Sequence, residues 1–206
     1  KMNLQSVRIR FYPEMYERGN DNDDPNNFDY DSPNVDFNSI EMNYLYKLLD
    51  VFEKNNVKVD LSWYGCRTTF ASEDKKINGS WLGGTYGDAG VEGWMNAPVL
   101  TDHPDEEFAE SVGACLNYLL NTKKYTCIYE YSLFPEPEGV IHDMDKYKNI
   151  CELVTANLEK YGIEDRLLFS GPADYNNDPE VYESKYLSKI DYEKATSSVY
   201  AFSNES

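Results

Sequence analysis

The sequence predicts an α/β fold in which parallel strands and helices alternate, as in a β/α barrel. Three observations predict it. Short β-rich runs are separated by helical stretches with one apolar stripe each, so successive strands must run parallel. Polar and aromatic loops follow the strands, at 12–33, 64–98, 135–143 and 171–178, where a barrel carries its chemistry. No glycine-rich nucleotide loop follows any strand, which removes support from the doubly wound alternative. With 206 residues, 41% of them hydrophobic, the chain is expected to form one domain over 1–206.

The first strand is Val7–Phe11, bounded by Pro13. An Asn- and Asp-rich loop runs from Tyr16 to about Pro33. A helix follows over Ser39–Asn55, with Leu45, Leu48, Leu49 and Phe52 as its buried stripe. Val57–Trp63 alternates as a strand does, and Gly65–Pro98 is a long glycine-rich excursion. A second helix over Asp105–Asn121 turns Phe108, Val112, Cys115, Leu116 and Leu119 inward. The strand Tyr125–Phe134 ends in Pro135-Glu136-Pro137. A third helix over Met144–Tyr161 buries Tyr147, Ile150, Cys151, Val154 and Leu158, and Gly162 stops it. A strand over Arg166–Ser170, a weaker helix over Pro179–Ser188 and a strand over Ala195–Phe202 complete the order.

The net charge of −18 argues against nucleic acid and against an anionic membrane surface as partners. No apolar run is long enough to span a bilayer. The four cysteines, at 66, 115, 127 and 151, form no CxxC pair and are expected as buried thiols. Asp21, Asp23 and Asp24 suggest calcium, but an EF-hand register requires a Gly at its sixth position and a Glu at its twelfth. Neither is present, so no metal and no cofactor is expected. His142, Asp143 and Asp145 read as a solvated loop and helix start.

Glu136 is the leading candidate for chemistry. It ends a strand between two prolines, whose fixed φ holds the backbone stiff. A rigid carboxylate at a barrel mouth suits general acid/base work; an exposed Glu in a Pro-rich turn is the alternative. Trp63, Tyr64, Trp81 and Trp94 offer either sugar platforms or core rings.

These segments together resemble the clan A glycoside hydrolases, the cellulase-like (β/α)8 barrels. Their fourth strand ends in Asn-Glu-Pro, and this chain has Pro135-Glu136-Pro137. Val7-Arg8-Ile9-Arg10-Phe11 resembles the second strand, with Arg8 at the position of a site arginine. Asp36–Gly65 and Asp105–Phe134 resemble the helix–strand units that follow, and Gly171-Pro172 resembles the turn after the fifth strand. Ser198-Val199-Tyr200 aligns with the His-x-Tyr of the sixth strand, which makes Tyr200 a substrate contact.

The resemblance implies a TIM-type barrel present in part, from the second strand to the sixth, with about five parallel strands. It implies a secreted or cell-surface hydrolase that degrades a poly- or oligosaccharide with retention. Glu136 would be the acid/base, paired with a nucleophilic Glu about 5–5.5 Å away. That nucleophile belongs to the seventh strand, beyond the matched segments. Two positions depart from the pattern: Pro135 replaces the Asn, and Ser198 replaces the His. They favour a second expectation, a carbohydrate-binding or structural protein on the same fold without turnover. The remainder of a barrel, or another chain, is expected to cover the open strand edges.

Overall fold

The computed structural model describes residues 4–22, 24–63, 103–134 and 144–171. Among these the order is β1 (Ser6–Phe11), α1 (Ile40–Lys54), β2 (Lys58–Trp63), α2 (Pro104–Asn117), β3 (Ile128–Leu133), α3 (Met144–Tyr161) and β4 (Leu168–Phe169). The strands form one parallel sheet in the order β1-β2-β3-β4. The described residues are therefore α/β, with a four-stranded parallel sheet and a helix between successive strands. The predicted elements over 179–188 and 195–202 lie outside the described residues. No helix among the described residues is long and apolar enough to cross a membrane.

Each helix begins and ends for local reasons. Ser39 caps α1, its Oγ accepting the Met42 N–H at 3.1 Å. Asn56 ends the helix in the left-handed region at φ 54°, and Val57 N–H reaches back to the Phe52 carbonyl at 3.0 Å. Gly162 closes α3 in the same way at φ 62°, with Ile163 N–H on the Leu158 carbonyl at 3.0 Å, as its sequence position predicts. Proline at the first position of α2, followed by Asp105, Glu106 and Glu107, suits a helix start. A π-helical turn over Tyr118–Thr122 extends α2.

The stripes of α2 and α3 follow the sequence expectation, with Phe108, Val112, Leu116, Tyr147, Ile150 and Val154 fully buried. The α1 stripe needs a correction. It is Met42, Leu45, Tyr46 and Leu49, one turn earlier than expected, and Leu48 is half exposed. The i, i+3, i+4, i+7 pattern holds in either frame, so periodicity alone does not choose between them. Ile40, Tyr44, Leu48 and Val51 consequently form an exposed apolar stripe on α1. Gly113 allows α2 and α3 to approach closely: a Cβ there would lie 2.6 Å from Asn157 Cβ. Cys115 and Cys127 are buried free thiols, and Cys151 is partly buried.

β3 and β4 are shorter than their β-rich runs. Residues 125–127 precede β3, and a 3-10 turn over Glu164–Arg166 leads into β4. Val59 pairs with Ile128 but Asp60 pairs with Glu130, so Tyr129 is a bulge residue. This single irregularity brings Glu130 and Ser132 into step with Asp60 and Ser62.

Candidate functional site

Alternation along the strands puts Ile9, Leu61 and Tyr131 in one register row and Arg8, Asp60 and Glu130 in the row before it. The apolar row belongs to the core. The polar row, with Ser62 and Ser132 two residues on, forms the opposite face of the sheet.

Arg8 Nε donates to Asp60 Oδ2 at 2.5 Å, joining β1 to β2. Asp60 is buried, and the Arg8 side chain is 23% exposed. Ser132 Oγ donates to the same carboxylate at 3.1 and 3.4 Å, joining β3 to the pair. Charge-assisted bonds of this kind hold a cross-strand set in one geometry. Glu130 lies beside it, half-buried. Burial and the neighbouring Asp60 raise its carboxyl above the ordinary range, while Arg8 and Lys58 pull it down. The set thus offers a fixed cation, a fixed acceptor and a carboxyl that holds its proton more readily than usual.

The end of β3 is strained. Phe134, a bulky residue before a proline, adopts φ 47°. Both conditions disfavour the left-handed region, at a cost of about 1–3 kcal/mol. The surroundings hold it there: its N–H donates to the Trp63 carbonyl at 2.7 Å, and its ring stacks on Phe108 at 4.9 Å. Backbone strain of this kind clusters at functional sites. The next residues in sequence are Pro135 and Glu136.

Of the residues singled out from sequence, Arg8 takes part in this set. Trp63 ends β2, fully buried, edge-on to Phe11 at 4.9 Å. Tyr64, Trp81, Trp94, Glu136 and Tyr200 lie outside the described residues, as do Pro135 and Ser198. Sequence reasoning missed Asp60, Glu130 and Ser132. The signal was the polar alternation of Val-Asp-Leu-Ser and Tyr-Glu-Tyr-Ser, which marks a strand with one polar face. A separate group of carboxylates able to hold a metal ion is Asp21, Glu107 and Glu110.

No protein-family model matches the chain, and no curated protein matches it. Among solved structures it is similar to an exo-β-1,4-mannosidase, Op5Man5, from Opitutaceae bacterium strain TAV5. That match has 13% identity and a TM-score of 0.46, and covers 84% of this chain and 26% of the mannosidase. It is also similar to a hyperthermostable endocellulase, at 13% identity and a TM-score of 0.37, over 88% of this chain and 57% of that one. The chain spans less than two thirds of either protein. A likeness of this degree assigns neither family nor reaction.

Proposed function

We propose that the chain forms part of a (β/α)8 barrel of the glycoside hydrolase kind and acts on a poly- or oligosaccharide with retention. Glu136 is the acid/base in this reading. Arg8, Tyr64, Trp81, Trp94 and Tyr200 are the sugar contacts, and Trp63 joins them if its face is uncovered. The observation that carries the reading is the carboxyl end of β3. In parallel α/β sheets ligands gather beyond the carboxyl ends of strands. β3 lies between β2 and β4, and its last turn is the strained Phe134, two residues before Glu136. The Arg8–Asp60–Ser132 set on the same strands supports a polar barrel interior.

The exposed stripe of α1 and the edge of β1 that pairs with no described strand support the rest of a barrel, or a second chain, as the covering partner. The test is reducing-sugar release by the protein and by Glu136→Gln. Loss of about 100- to 10,000-fold is expected. Wild-type release by the variant overturns the assignment.

Pro135 and Ser198 favour a second reading, carbohydrate binding without turnover. Calorimetry against a glycan panel separates the two. Saturable binding with no sugar release supports the second reading.

A further inference from the structure

The loop after β1 packs against α2 through a buried group of acids. Glu17, Asp21, Glu107 and Glu110 are 1, 8, 2 and 1% exposed. Carboxylate oxygens of Asp21, Glu107 and Glu110 lie within 4.8 Å of one another. Parts of the group have partners within the chain. Glu17 bonds to Ser111 Oγ at 2.5 Å, and Ser111 in turn meets the Tyr16 hydroxyl at 2.9 Å. Asp21 Oδ2 accepts from Asn22 Nδ2 at 2.9 Å and from the Asp29 N–H.

Glu110 differs. Both its carboxylate oxygens are buried without a hydrogen-bond partner among the described residues, and so is Oδ1 of Asp21. A buried carboxylate oxygen without a donor costs several kcal/mol, more when it is charged. Two nine-tenths buried carboxylates with free oxygens in one cluster therefore call for a proton or a cation. Lys160 lowers Glu110 through its charge, and its Nζ donates to the Asn26 carbonyl at 2.5 Å. Burial, then Asp21 and Glu107, push Glu110 up to about 8, the direction expected of like charges held together.

We propose that Asp21, Glu107 and Glu110 form a calcium site that fastens the loop after β1 to helix α2. Every proposed ligand is a carboxylate oxygen, which selects a hard cation over zinc or copper. Calcium fits better than magnesium. Its ligand shell is irregular and accepts several protein carboxylates, while magnesium keeps most of its waters. Residues from a loop and a distant helix supply the ligands. Closing so long a segment with an ion stabilises the fold by removing freedom from the unfolded chain. The site does not depend on the glycosidase reading, since it shares no residue with the sheet face.

The experiment is calorimetric titration of chelator-treated, dialysed protein with calcium chloride and, separately, magnesium chloride. Thermal melting is followed in parallel. One calcium per chain is expected, with a dissociation constant of about 1 μM to 1 mM, a rise in melting temperature and weaker magnesium binding. Losing only an outer-shell partner costs about 10- to 100-fold in metal affinity. Glu110→Gln and Glu107→Gln should therefore each weaken calcium binding by about 100-fold or more. Glu152→Gln, on the exposed side of α3, should leave it unchanged. Circular dichroism on the chelated variants shows whether they fold, and two independent variants guard against the failure of one. Absence of saturable calcium binding up to about 1 mM, or equal binding by both ligand variants, overturns the site. Magnesium binding as tightly as calcium overturns the calcium assignment.

Discussion

Two buried polar clusters sit in this chain, and they are built on opposite electrostatic plans. On the sheet face, Asp60 is met by the Arg8 guanidinium and the Ser132 hydroxyl. The opposite charges of Arg8 and Asp60 lie within hydrogen-bond distance of each other. Between the first loop and α2, four acids crowd together, and the oxygens of Glu110 have no donor. The first cluster neutralises itself from residues on three adjacent strands. The second needs a proton or an ion from outside. Burial alone therefore does not say whether a polar group supports the fold; the sign of its neighbours does.

The comparison is most directly broken by making one edit in both places. Removing the charge of Asp60 by Asp60→Asn takes from the Arg8 guanidinium the carboxylate it donates to. A loss of about 3 kcal/mol in urea unfolding is expected. Glu110→Gln puts a neutral amide where an acid is crowded by Asp21 and Glu107, so the chelated variant should melt at or above the wild type. The two substitutions should thus act with opposite sign. A loss below about 1 kcal/mol for Asp60→Asn would place its pair among exposed ion pairs and end the contrast.

Glu53 sharpens the comparison, because it is a carboxylate supplied with donors from the backbone. It accepts from Thr126 N–H at 2.9 Å, Cys127 N–H at 2.7 Å and the Thr126 hydroxyl, tying the end of α1 to the approach of β3. Burial works to raise its carboxyl, but the bonds from Thr126 and Cys127 outweigh it and hold the group below its ordinary value. A depressed carboxylate stabilises the fold above its unfolded value, and that stability fades as pH falls through the folded one. Glu53→Gln should cost about 2 kcal/mol near neutral pH. The gap between wild type and variant should close as pH drops below the ordinary carboxylate range of about 4. Urea midpoints measured across that range check it; a gap constant with pH would remove the charge from the explanation.

Much of the fold was legible because periodicity survives without tertiary knowledge. The inward faces of α2 and α3, the stop at Gly162 and the parallel order of the four described strands all follow from spacing and turn chemistry. The α1 frame was not legible, since Met42 and Phe52 are equally apolar ends of overlapping stripes. The bulge at Tyr129 was not legible either, because no local residue preference marks it, yet it decides that Glu130 faces Asp60. Arg8 was reached by resemblance, while its partner Asp60 was hidden inside an ordinary alternating strand. The acidic group was hidden by distance. The loop around Asp21 holds no matching ligand pattern, and its neighbours Glu107 and Glu110 come from a helix far along the chain.

The smallest of these effects concerns the two serines that serve the clusters. Ser132 Oγ reaches both oxygens of Asp60, a carboxylate that already has Arg8. Ser132→Ala removes one neutral donor and leaves the ion pair, so a loss of about 1 kcal/mol is expected. Ser111 stands differently, since it bridges Glu17 to the Tyr16 hydroxyl in a site where both groups are fully desolvated. Burial raises both Glu17 and Tyr16 well above their ordinary values. Ser111→Ala leaves two polar groups to find new partners, so its loss should exceed that of Ser132→Ala. Equilibrium urea unfolding of the two variants side by side decides the order. Equal losses would mean that a donor is worth the same in a balanced cluster as in an unbalanced one, contrary to the difference in their surroundings.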